Sequence, residues 1–352
     1  MNNMKIGIVG CGKVAKGMHI PALHKVKGIE VRAVCDVDEA EAKRTAKMFD
    51  IDRSYTDLSG MLKREDLEMV DICTPPQMHA PMAIQAMEEG CHVLLEKPMT
   101  SSVGEADEIL RALKKSGVKL CVVHNYLFMP IATKARSIVE QGELGDITGM
   151  DVKFLDRIDY TPFWRKGHWC HTMPGGRFGE NIIHPLYLID KFLNISDVVA
   201  VHAKKLSNYE WVSIDELKVL LDAKNSLGTI SMSGNSPRDV TTVDIYGTKM
   251  NLHLNFESYA LIKLNPRNYT SAIHTVFSTI MDSMSIGSKR LVTAASYPLE
   301  SLIWRKYIRS GHYHLIQKFI ESIRDDKMPP VTGDEGRKML ALQEKIFKQI
   351  TH

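Results

Sequence analysis

A glycine-rich turn near the amino terminus has residue types suited to binding a phosphate. Gly10-Cys11-Gly12-Lys13-Val14-Ala15 follows a short apolar run and opens a segment with helical spacing. In this GxGxxA pattern Gly10 permits a tight turn, and Gly12 lets backbone amides approach a pyrophosphate. The small Ala15 allows a helix to pack closely on a strand, so the anion would lie on the helix amino terminus. The pattern predicts a dinucleotide-binding turn with Gly10, Gly12, Lys13 and Val14 as binding residues.

An acidic residue follows at the distance that such a turn requires. Asp36 ends the second predicted strand, 21 residues after Ala15. A carboxylate in this position can accept hydrogen bonds from both ribose hydroxyls and would repel a 2′-phosphate. We therefore expect NAD to be preferred over NADP. Lys43 and Arg44, a short way downstream, weaken that preference.

A second motif, Glu96-Lys97-Pro98, comes directly after the apolar run Val93–Leu95. Strands of an α/β sheet bind ligands at their carboxyl ends, which is where this motif falls. Lys97 could donate to a substrate oxygen while Glu96 steadies its charge. A lysine at a strand end is also commonly just a solvated charge, and the motif alone leaves both interpretations open.

Glu180 and His184 form a third candidate pair. They are four residues apart and share one face if a helix begins near Glu180. Pro185 would then fall within or just beyond the first turn, where its missing N–H is tolerated. A histidine beside a carboxylate can serve as a base near neutral pH. The alternative is a core histidine that is satisfied by hydrogen bonds. The apolar stripe of the same helix consists of Ile182, Ile183, Leu186, Ile189 and Leu193.

The segment before this helix is rich in aromatic and polar side chains. Trp169, His171 and Arg177 suit a sugar pocket, in which rings pack on C–H faces and donors bind hydroxyls. Residues near Trp164 could equally make an oligomer contact. His168, Cys170, His171, Glu180 and His184 also have the right types for zinc, but their spacing matches no metal motif. We expect no metal, and a zinc-dependent hydrolase remains a minor alternative.

The elements that must position these residues alternate in the first third of the chain. Short β-branched runs predict strands over Lys5–Val9, Glu30–Cys35, Met69–Cys73, His92–Leu95 and Val118–Val123. Helical spacing predicts helices over Val14–Val26, Glu39–Phe49, Met78–Glu89 and Gly104–Ser116, the last two followed by Gly90 and Gly117. Strands separated by helices indicate an α/β Rossmann domain over residues 1–125, with a doubly wound parallel sheet.

The pattern changes after about residue 125. A helix over Ile131–Gln141 is followed by runs of period two without helices between them, which predicts a mostly antiparallel, open-faced sheet. These runs include Met150, Val152 and Phe154, then Leu217–Leu221, Thr229–Met232, Val240–Tyr246, Leu252–Phe256 and Ala260–Leu264. Helical spacing returns over 314–323 and 335–350. We expect an α+β domain over 126–352 whose last helices pack back on the first domain, with Asn265–Ser296 either helix or long loop.

Composition excludes several classes of function. The 352 residues are 44% hydrophobic and 25% charged with a net charge of +3, which gives no reason to expect a nucleic-acid or membrane partner. No apolar run approaches the roughly 18 residues of a membrane-spanning helix. The six cysteines include no CxxC pair, so we expect reduced thiols and a cytoplasmic protein.

The motifs together resemble the glucose–fructose oxidoreductase / inositol dehydrogenase / MocA (Gfo/Idh/MocA) family. The resemblance rests on the GxGxxA turn, Asp36, Thr74-Pro75-Pro76 with His79, Glu96-Lys97-Pro98, Gly175-Gly176 leading to Glu180, His184 and Asp190, and Tyr246-Gly247-Thr248-Lys249. It covers most of the chain, except Tyr160–Met173 and Asn265–Ser296. It implies a Rossmann domain, an open-faced sheet that builds homodimers or homotetramers, and NAD(P)-dependent oxidation of a sugar or polyol hydroxyl or the reverse reduction.

The resemblance also implies roles for individual residues. Lys97 corresponds to the lysine that contacts both the nicotinamide side and the substrate hydroxyl, and His184 corresponds to the general base. Glu180 stands where most members have Asp, so its longer side chain must reach differently. Thr74, Pro75, Pro76, Glu96 and Asn125 are expected to line the cofactor cleft, with His79 either beside them or a polar cap of its helix. Asn125-Tyr126-Leu127 lacks the arginine often seen after this position.

The expected mechanism is hydride transfer between nicotinamide and substrate carbon. His184 takes the hydroxyl proton, Lys97 stabilises the developing alkoxide, and Glu180 orients the pair. Two further alternatives remain open. One is a redox-assisted glycosidase or lyase with tightly held NAD, and the other is a dinucleotide sensor without activity.

Overall fold

A computed structural model describes residues 3–266 and 310–350, together with positions 276, 279, 280, 283, 284, 287 and 288. The chain divides into two compact units. The first comprises Met1–Met129 with Tyr307–Ala341, and the second comprises Pro130–Lys306 with Leu342–His352. The segment Asn265–Ser296 lies almost wholly outside the described residues. Within the described ranges, no helix is long and apolar enough to cross a membrane.

The first unit contains a six-stranded parallel sheet in the order β3-β2-β1-β4-β5-β6. The strands are β1 (Met4–Val9), β2 (Ile29–Cys35), β3 (Arg53–Tyr55), β4 (Met69–Ile72), β5 (His92–Leu95) and β6 (Leu120–Val122). Ile6 and Ile8 of the central strand are fully buried, as expected for a sheet covered on both faces. The strand order reverses beside β1, and ligands bind at such a switch point. The predicted doubly wound parallel sheet is confirmed.

The second unit contains a seven-stranded sheet in the order β13-β12-β11-β7-β10-β9-β8. The strands are β7 (Ile147–Arg157), β8 (Ile195–Lys204), β9 (Glu216–Ala223), β10 (Ser226–Ser233), β11 (Asn235–Gly247), β12 (Asn251–Asn255) and β13 (Ala260–Leu264). Every neighbouring pair is antiparallel except β7 with β10, which is parallel. The alternation of Met150, Val152 and Phe154 places all three in the core. The predicted mostly antiparallel sheet is confirmed.

Helices complete both units. They are α1 (Ile20–Leu23), α2 (Glu39–Phe49), α3 (Leu58–Glu65), α4 (His79–Glu88), α5 (Val103–Ser116), α6 (Pro130–Glu140), α7 (Arg177–Asn181), α8 (Ile183–Leu193), α9 (His312–Arg324) and α10 (Gly333–Ile350). Their ends have identifiable causes. Asp38 accepts from the N–H groups of Ala40 and Glu41 to begin α2, and Gly117, with φ +71°, ends α5.

The first helix differs from the single helix expected over Val14–Val26. One π-helical turn, Ala15–His19, precedes α1, which ends at Leu23. Pro21 is the second residue of α1 and has no N–H to donate into the preceding turn. The wider π turn accommodates this loss and directs His19 into the interior, where its side chain is fully buried.

Two short elements of the first unit, and one strand of the second, were not expected. The strand β3 has only three residues, two of them exposed, so it carries no alternating pattern. The helix α3 has an apolar face of just Leu58, Met61 and Leu62 and depends on its Asp57 cap. β8 exposes most of its positions, including Val199, and therefore lacks the alternation of its neighbours.

Candidate active site

The glycine turn after β1 is shaped by a close approach to the end of β4. Gly10 has φ +89°, a conformation that L side chains rarely adopt. A Cβ built on Gly10 would lie 2.9 Å from both the carbonyl carbon and the carbonyl oxygen of Cys73. Only glycine fits here, so the turn remains tight, as the pattern predicts.

Gly12 has the opposite surroundings. A Cβ built on it would meet no heavy atom within 4 Å, and Lys13 and Val14 beside it are exposed. Ala15 is fully buried against the sheet. The backbone at Gly12 therefore borders open space while the next turn is anchored, which is the cradle that a pyrophosphate requires. The residues present thus fit a dinucleotide.

Asp36 lies beside this turn. Its Oδ2 accepts from the Cys11 N–H at 2.7 Å, and its Oδ1 accepts from the Asp38 N–H at 3.0 Å. The carboxylate is therefore fixed at the end of β2, next to the glycine turn. The two basic residues downstream have acidic partners on their own helix, because Lys43 pairs with Glu39 at 2.7 Å and Arg44 pairs with Glu41.

The segment after β4 is held by a buried histidine. His79, the first residue of α4, places Nε2 2.8 Å from the carbonyl oxygen of Thr74. Its Nδ1 lies 3.0 Å from the Pro98 oxygen and 3.3 Å from the Met99 oxygen. Burial lowers the pKa of His79, while the bonds to the Thr74 and Pro98 oxygens act to raise it. His79 thus connects the loop after β4 with the loop after β5. In the same segment, Pro75 is exposed and Pro76 is buried.

The loop after β5 holds Lys97. Glu96 is buried, and its Oε2 accepts from the Lys97 N–H at 2.9 Å. Lys97 itself is half-exposed, and the peptide bond between it and Pro98 is cis. Asn125 begins a short 3₁₀ turn after β6, and its Nδ2 donates to the carbonyl oxygen of Ser310 at 3.0 Å. The polar side chains expected at this sheet edge are therefore anchored to the first unit's own backbone.

In the second unit Arg177 forms a buried ion-pair group with two carboxylates. Its Nε and NH2 donate to Asp156 Oδ2 at 3.2 and 2.9 Å, its NH1 donates to Glu180, and its guanidinium lies over the Phe163 ring. Burial acts to lower the pKa of Arg177, but Glu180 and Asp156 outweigh it and raise that pKa. The extra methylene of Glu180 is thus used to reach Arg177, three residues earlier.

His184 is buried one turn further along. Its Nδ1 lies 2.7 Å from the Tyr187 hydroxyl oxygen, and its ring stacks on Phe154 with the centroids 6.0 Å apart. The helix expected to start near Glu180 is divided at Ile182 into α7 and α8, so Glu180 and His184 belong to different helices. Pro185 is the third residue of α8, where it has no helical hydrogen bond to lose.

The aromatic segment has a buried and a half-buried end. Trp164 packs edge-on against Phe178 inside the second unit and is only 2% exposed, so it belongs to the core. Trp169 and His171 lie in a 3₁₀ turn and are half-buried. The Nε2 atom of His171 is buried and has no hydrogen-bond partner among the described residues.

The structure does not assemble the segment's zinc-type side chains into one site. His168 Nδ1 lies 3.1 Å from Cys170 Sγ, while Glu180 is bound to Arg177. Across the described ranges, clusters of three possible metal ligands occur in the first unit instead, around His19.

Sequence reasoning missed several polar residues that hold this machinery. Tyr187 follows His184 by three residues on one helix face, so helical spacing could have found it. Asp156, His19, Asp71 and His312 lie far in sequence from the groups they contact, and no local pattern indicates them.

The fold and the turn together define a class of protein. A parallel sheet in this strand order, with a GxGxxA turn after β1 and an acidic residue after β2, is a dinucleotide-binding Rossmann domain. Residues 4–124 match the oxidoreductase family with an NAD-binding Rossmann fold, and residues 132–253 match the Gfo/Idh/MocA C-terminal domain. The chain therefore belongs to the Gfo/Idh/MocA family of NAD-binding oxidoreductases.

Some of its relatives are dehydrogenases that match this chain over nearly the whole length of both proteins. A D-apiose dehydrogenase of Rhizobium rhizogenes is 26% identical over 359 residues, covering 99% of this chain and 95% of the relative. An oxidoreductase from Agrobacterium radiobacter, solved with NAD+, L-tartaric acid and magnesium, has a TM-score of 0.79 at 18% identity, covering 99% and 96% of the two chains. The WlbA dehydrogenase from Bordetella pertussis, solved with NADH and UDP-GlcNAcA, has a TM-score of 0.78 at 21% identity, covering 99% and 95%. At these identities the solved structures show a shared fold.

Proposed function

We propose that this oxidoreductase transfers a hydride between NAD and a sugar or polyol hydroxyl, or the corresponding ketone, with His184 as proton acceptor. The observation that carries the proposal is the match of residues 4–124 and 132–253 to the two domains of the oxidoreductase family. The buried His184–Tyr187 hydrogen bond also fits a core histidine, so the turnover of His184→Ala decides between the two interpretations. The sugar class is supported by the D-apiose dehydrogenase relative and by the sugar nucleotide in the WlbA complex. When bound, nicotinamide accepts or returns the hydride.

The contacts of His184 are compatible with one ring nitrogen acting as the base. An imidazole base must have one nitrogen with a lone pair, and the other is then protonated. Nδ1 lies 2.7 Å from the Tyr187 hydroxyl oxygen, which can accept from an N–H on Nδ1 or donate to a lone pair there. We assign the first arrangement, in which Nε2 takes the proton of the substrate hydroxyl during oxidation and returns it during reduction.

Lys97 supplies positive charge for the oxygen that loses this proton. Its backbone N–H is bound to Glu96, so the side chain starts from a fixed point at the end of β5. An ammonium group directed at a developing alkoxide stabilises the transition state more than the ground state. Glu180 contributes indirectly by orienting Arg177, and we assign Arg177, Trp169 and His171 to substrate binding.

The glycine turn and the loops at the same sheet edge hold the cofactor in this proposal. Gly10, Gly12, Lys13 and Val14 bind the pyrophosphate, Asp36 binds the ribose, and the cleft is lined by Thr74, Pro75, Pro76, His79, Glu96, Lys97 and Asn125. NAD is preferred because the Asp36 carboxylate is fixed beside the turn, whereas Lys43 and Arg44 are paired with glutamates. Replacing Asp36 by Ala should weaken NAD binding and narrow the gap to NADP.

The test combines cofactor titration with a substrate screen. Purified protein is titrated with NAD and NADP, then assayed for NADH formation over a panel of aldoses, uronic acids, inositols and sugar nucleotides. His184→Ala should lose about 100-fold or more of turnover, as expected for a general base, and Lys97→Met should lose a similar factor. His202→Ala, on an exposed part of β8, is the matched control and should keep full activity.

The other outcomes separate the alternatives. Full turnover by His184→Ala would remove the proton-transfer assignment. Cleavage of a glycosidic or neighbouring bond without net NADH release would indicate the redox-assisted glycosidase or lyase. Tight NAD binding without turnover on any substrate would indicate a sensor, and binding of neither cofactor would overturn the proposal.

We also propose a homodimer or homotetramer. The outward face of the second unit's sheet has half-buried polar side chains joined by hydrogen bonds, with Asp151 accepting from Thr229 and from Tyr246. A polar, half-buried sheet face can pair with the same face of a second copy. Light scattering coupled to size exclusion measures the mass, and a monomer at micromolar concentration would contradict this proposal.

A further inference from the structure

His19 occupies the centre of a buried charge cluster in the first unit. It is the last residue of the π turn that follows the glycine turn, and its side chain is fully buried. Its Nδ1 lies 2.8 Å from Asp71 Oδ2, and its Nε2 lies 2.8 Å from Glu96 Oε1. One imidazole ring thus joins the strand β4 to the loop after β5.

These contacts determine the protonation of the ring. An ionised carboxylate only accepts hydrogen bonds, so both nitrogens of His19 must carry a proton to satisfy both partners. Burial acts to lower the pKa of His19, but Asp71, together with Cys73, outweighs it and raises that pKa well above the usual range. Burial acts to raise the pKa of Glu96, but hydrogen bonds from His19 and His312 outweigh it and hold that pKa well below its usual range.

The remaining groups that face His19 complete the cluster. His312, from α9, places Nε2 3.6 Å from Glu96 Oε1, and its ring stands edge-on to His19 with the centroids 5.2 Å apart. Burial lowers the pKa of His312, so its ring is neutral. The Cys73 thiol donates to Asp71 Oδ1 at 3.6 Å, and burial raises its pKa, so it is uncharged. His19 is therefore the cluster's single cation, facing two carboxylates.

The cluster extends directly to the proposed catalytic lysine. Glu96 uses Oε1 for His19 and Oε2 for the Lys97 N–H, at 2.8 and 2.9 Å. We propose that His19 is a positioning residue, an imidazolium that fixes the Glu96 carboxylate and through it the backbone at Lys97. This inference rests on the proposed function, because the position of the Lys97 backbone affects catalysis only if Lys97 acts on the substrate. It assigns His19, Asp71 and His312 to the machinery, although none of them belongs to the cofactor or substrate motifs.

A metal ion is the competing interpretation of the same atoms. His19, Glu96 and His312 each offer one possible ligand atom, and these three atoms lie within 4.8 Å of one another. A metal would require an unprotonated His19 Nε2. The 2.8 Å separation from Glu96 Oε1 is instead typical of a charge-assisted N–H···O bond. The metal content of the protein as purified therefore decides between the two interpretations.

The experiment uses the full chain with NAD and the substrate found in the screen. His19→Gln keeps a polar side chain and removes the cation. It should lower kcat about 10- to 100-fold, as expected when a group that orients a catalytic residue is lost, and should change KM for the substrate by less than about 3-fold. His24→Gln, on the exposed end of α1, is the matched control and should keep wild-type kcat.

A spectroscopic measurement on the wild-type protein does not depend on the variant folding. Nitrogen NMR of the histidine rings should show His19 with two N–H groups at a pH at which ordinary histidines, whose pKa is about 6.5, have become neutral. His24 should be neutral there, since burial lowers its pKa. Neutral His19 at this pH, an unchanged kcat in His19→Gln, or one equivalent of bound zinc would each overturn the inference.

The failure of the proposed function would look different. Full turnover by Lys97→Met would show that Lys97 is not needed for catalysis. The cluster would then have no catalytic residue to position, but the two N–H signals of His19 would still be observed. Loss of turnover in Lys97→Met together with wild-type kcat in His19→Gln would overturn the positioning role alone.

Discussion

Gly10, Gly12 and Gly17 lie in one eight-residue segment and should respond differently to replacement by alanine. At Gly10 the new methyl would lie 2.9 Å from the Cys73 carbonyl, in a residue with φ +89°. At Gly12 and at Gly17 it would meet no heavy atom within 4 Å. The protein itself therefore opposes the added methyl group only at Gly10, whereas in the proposed binding mode a bound pyrophosphate would oppose it only at Gly12.

The magnitudes follow from these surroundings. Gly10→Ala combines a left-handed backbone, about 1–2 kcal/mol, with overpacking of about 1–3 kcal/mol, so it should lower the free energy of unfolding by about 2–5 kcal/mol. Gly12→Ala should leave stability near wild type but weaken NAD binding by about 1–3 kcal/mol, or roughly 5- to 150-fold in Kd. Gly17→Ala, inside the π turn, should stabilise by about 0.4–1 kcal/mol and leave Kd unchanged.

Two measurements on the same samples check the series. Thermal unfolding followed by circular dichroism gives stability, and isothermal titration calorimetry gives the Kd for NAD. Wild-type affinity in a folded Gly12→Ala protein would refute the assignment of this turn to the pyrophosphate. An equal loss of affinity in Gly17→Ala would show that the effect of Gly12→Ala is not local.

Three further predictions concern buried polar groups. Tyr187→Phe removes the hydroxyl that binds His184 Nδ1 and should lower kcat about 2- to 10-fold, measured at saturating substrate. Arg177→Met leaves the buried Glu180 and the half-buried Asp156 without their cation and should cost about 3–5 kcal/mol in urea unfolding, more than Glu180→Gln, which keeps the bond from Arg177 to Asp156. Because the folded-state pKa of His19 is raised, its stabilisation is complete below about pH 6.5 and is lost as the pH rises through the folded value. The stability difference between wild type and His19→Gln should therefore narrow above neutral pH in unfolding curves measured from pH 6 to 10.

Matched controls exist for the first two of these predictions. Tyr246→Phe also removes a hydroxyl hydrogen bond, at 2.8 Å to Asp151 on the outward sheet face, and should leave kcat unchanged. Arg136→Met breaks a partly exposed pair with Glu140 at 3.6 Å and should cost at most about 1 kcal/mol. If Tyr246→Phe lowered kcat as much as Tyr187→Phe, the role given to Tyr187 would be contradicted. If Arg136→Met lowered stability as much as Arg177→Met, the role given to Arg177 would be contradicted. For His19, a constant stability difference across the pH range would show that folding does not raise the pKa of its ring.

The sequence predicted the elements that depend on local periodicity. Glu39–Phe49 has an aspartate before it and a helical apolar stripe, and α2 has these bounds. His92–Leu95 is a short apolar run that becomes β5 unchanged. The three-residue β3 has no period to detect, and β8 exposes most of its side chains because it lies at the edge of its sheet.

The candidate site was predictable to the extent that it is local. The glycine turn is a contiguous motif, and its glycines themselves indicate a tight turn with an open backbone, so its geometry could be predicted. The partner of Glu180 could not be predicted. On an ideal helix Glu180 lies near His184, four residues later, and equally near Arg177, three residues earlier. The break at Ile182 and the second carboxylate, the half-buried Asp156, favour Arg177. Charge pairing between distant segments thus decided a question that helical spacing left open.

The His19 cluster shows why such pairs follow from the fold even though no motif predicts them. In the parallel sheet β4 pairs with both β1 and β5, and Asp71 lies opposite Ile8 on one side and Leu94 on the other. Glu96 is the second residue after Leu94, so the two carboxylates must end near each other inside the protein. Two buried negative charges at that distance repel strongly unless a cation lies between them. The chain leaving β1 has to turn over this same edge to form the dinucleotide cradle, and its first buried polar side chain after the glycines is His19. The chain segment that forms the cofactor turn therefore also places the His19 imidazolium beside Glu96. This positive charge allows Glu96 to remain ionised next to Lys97.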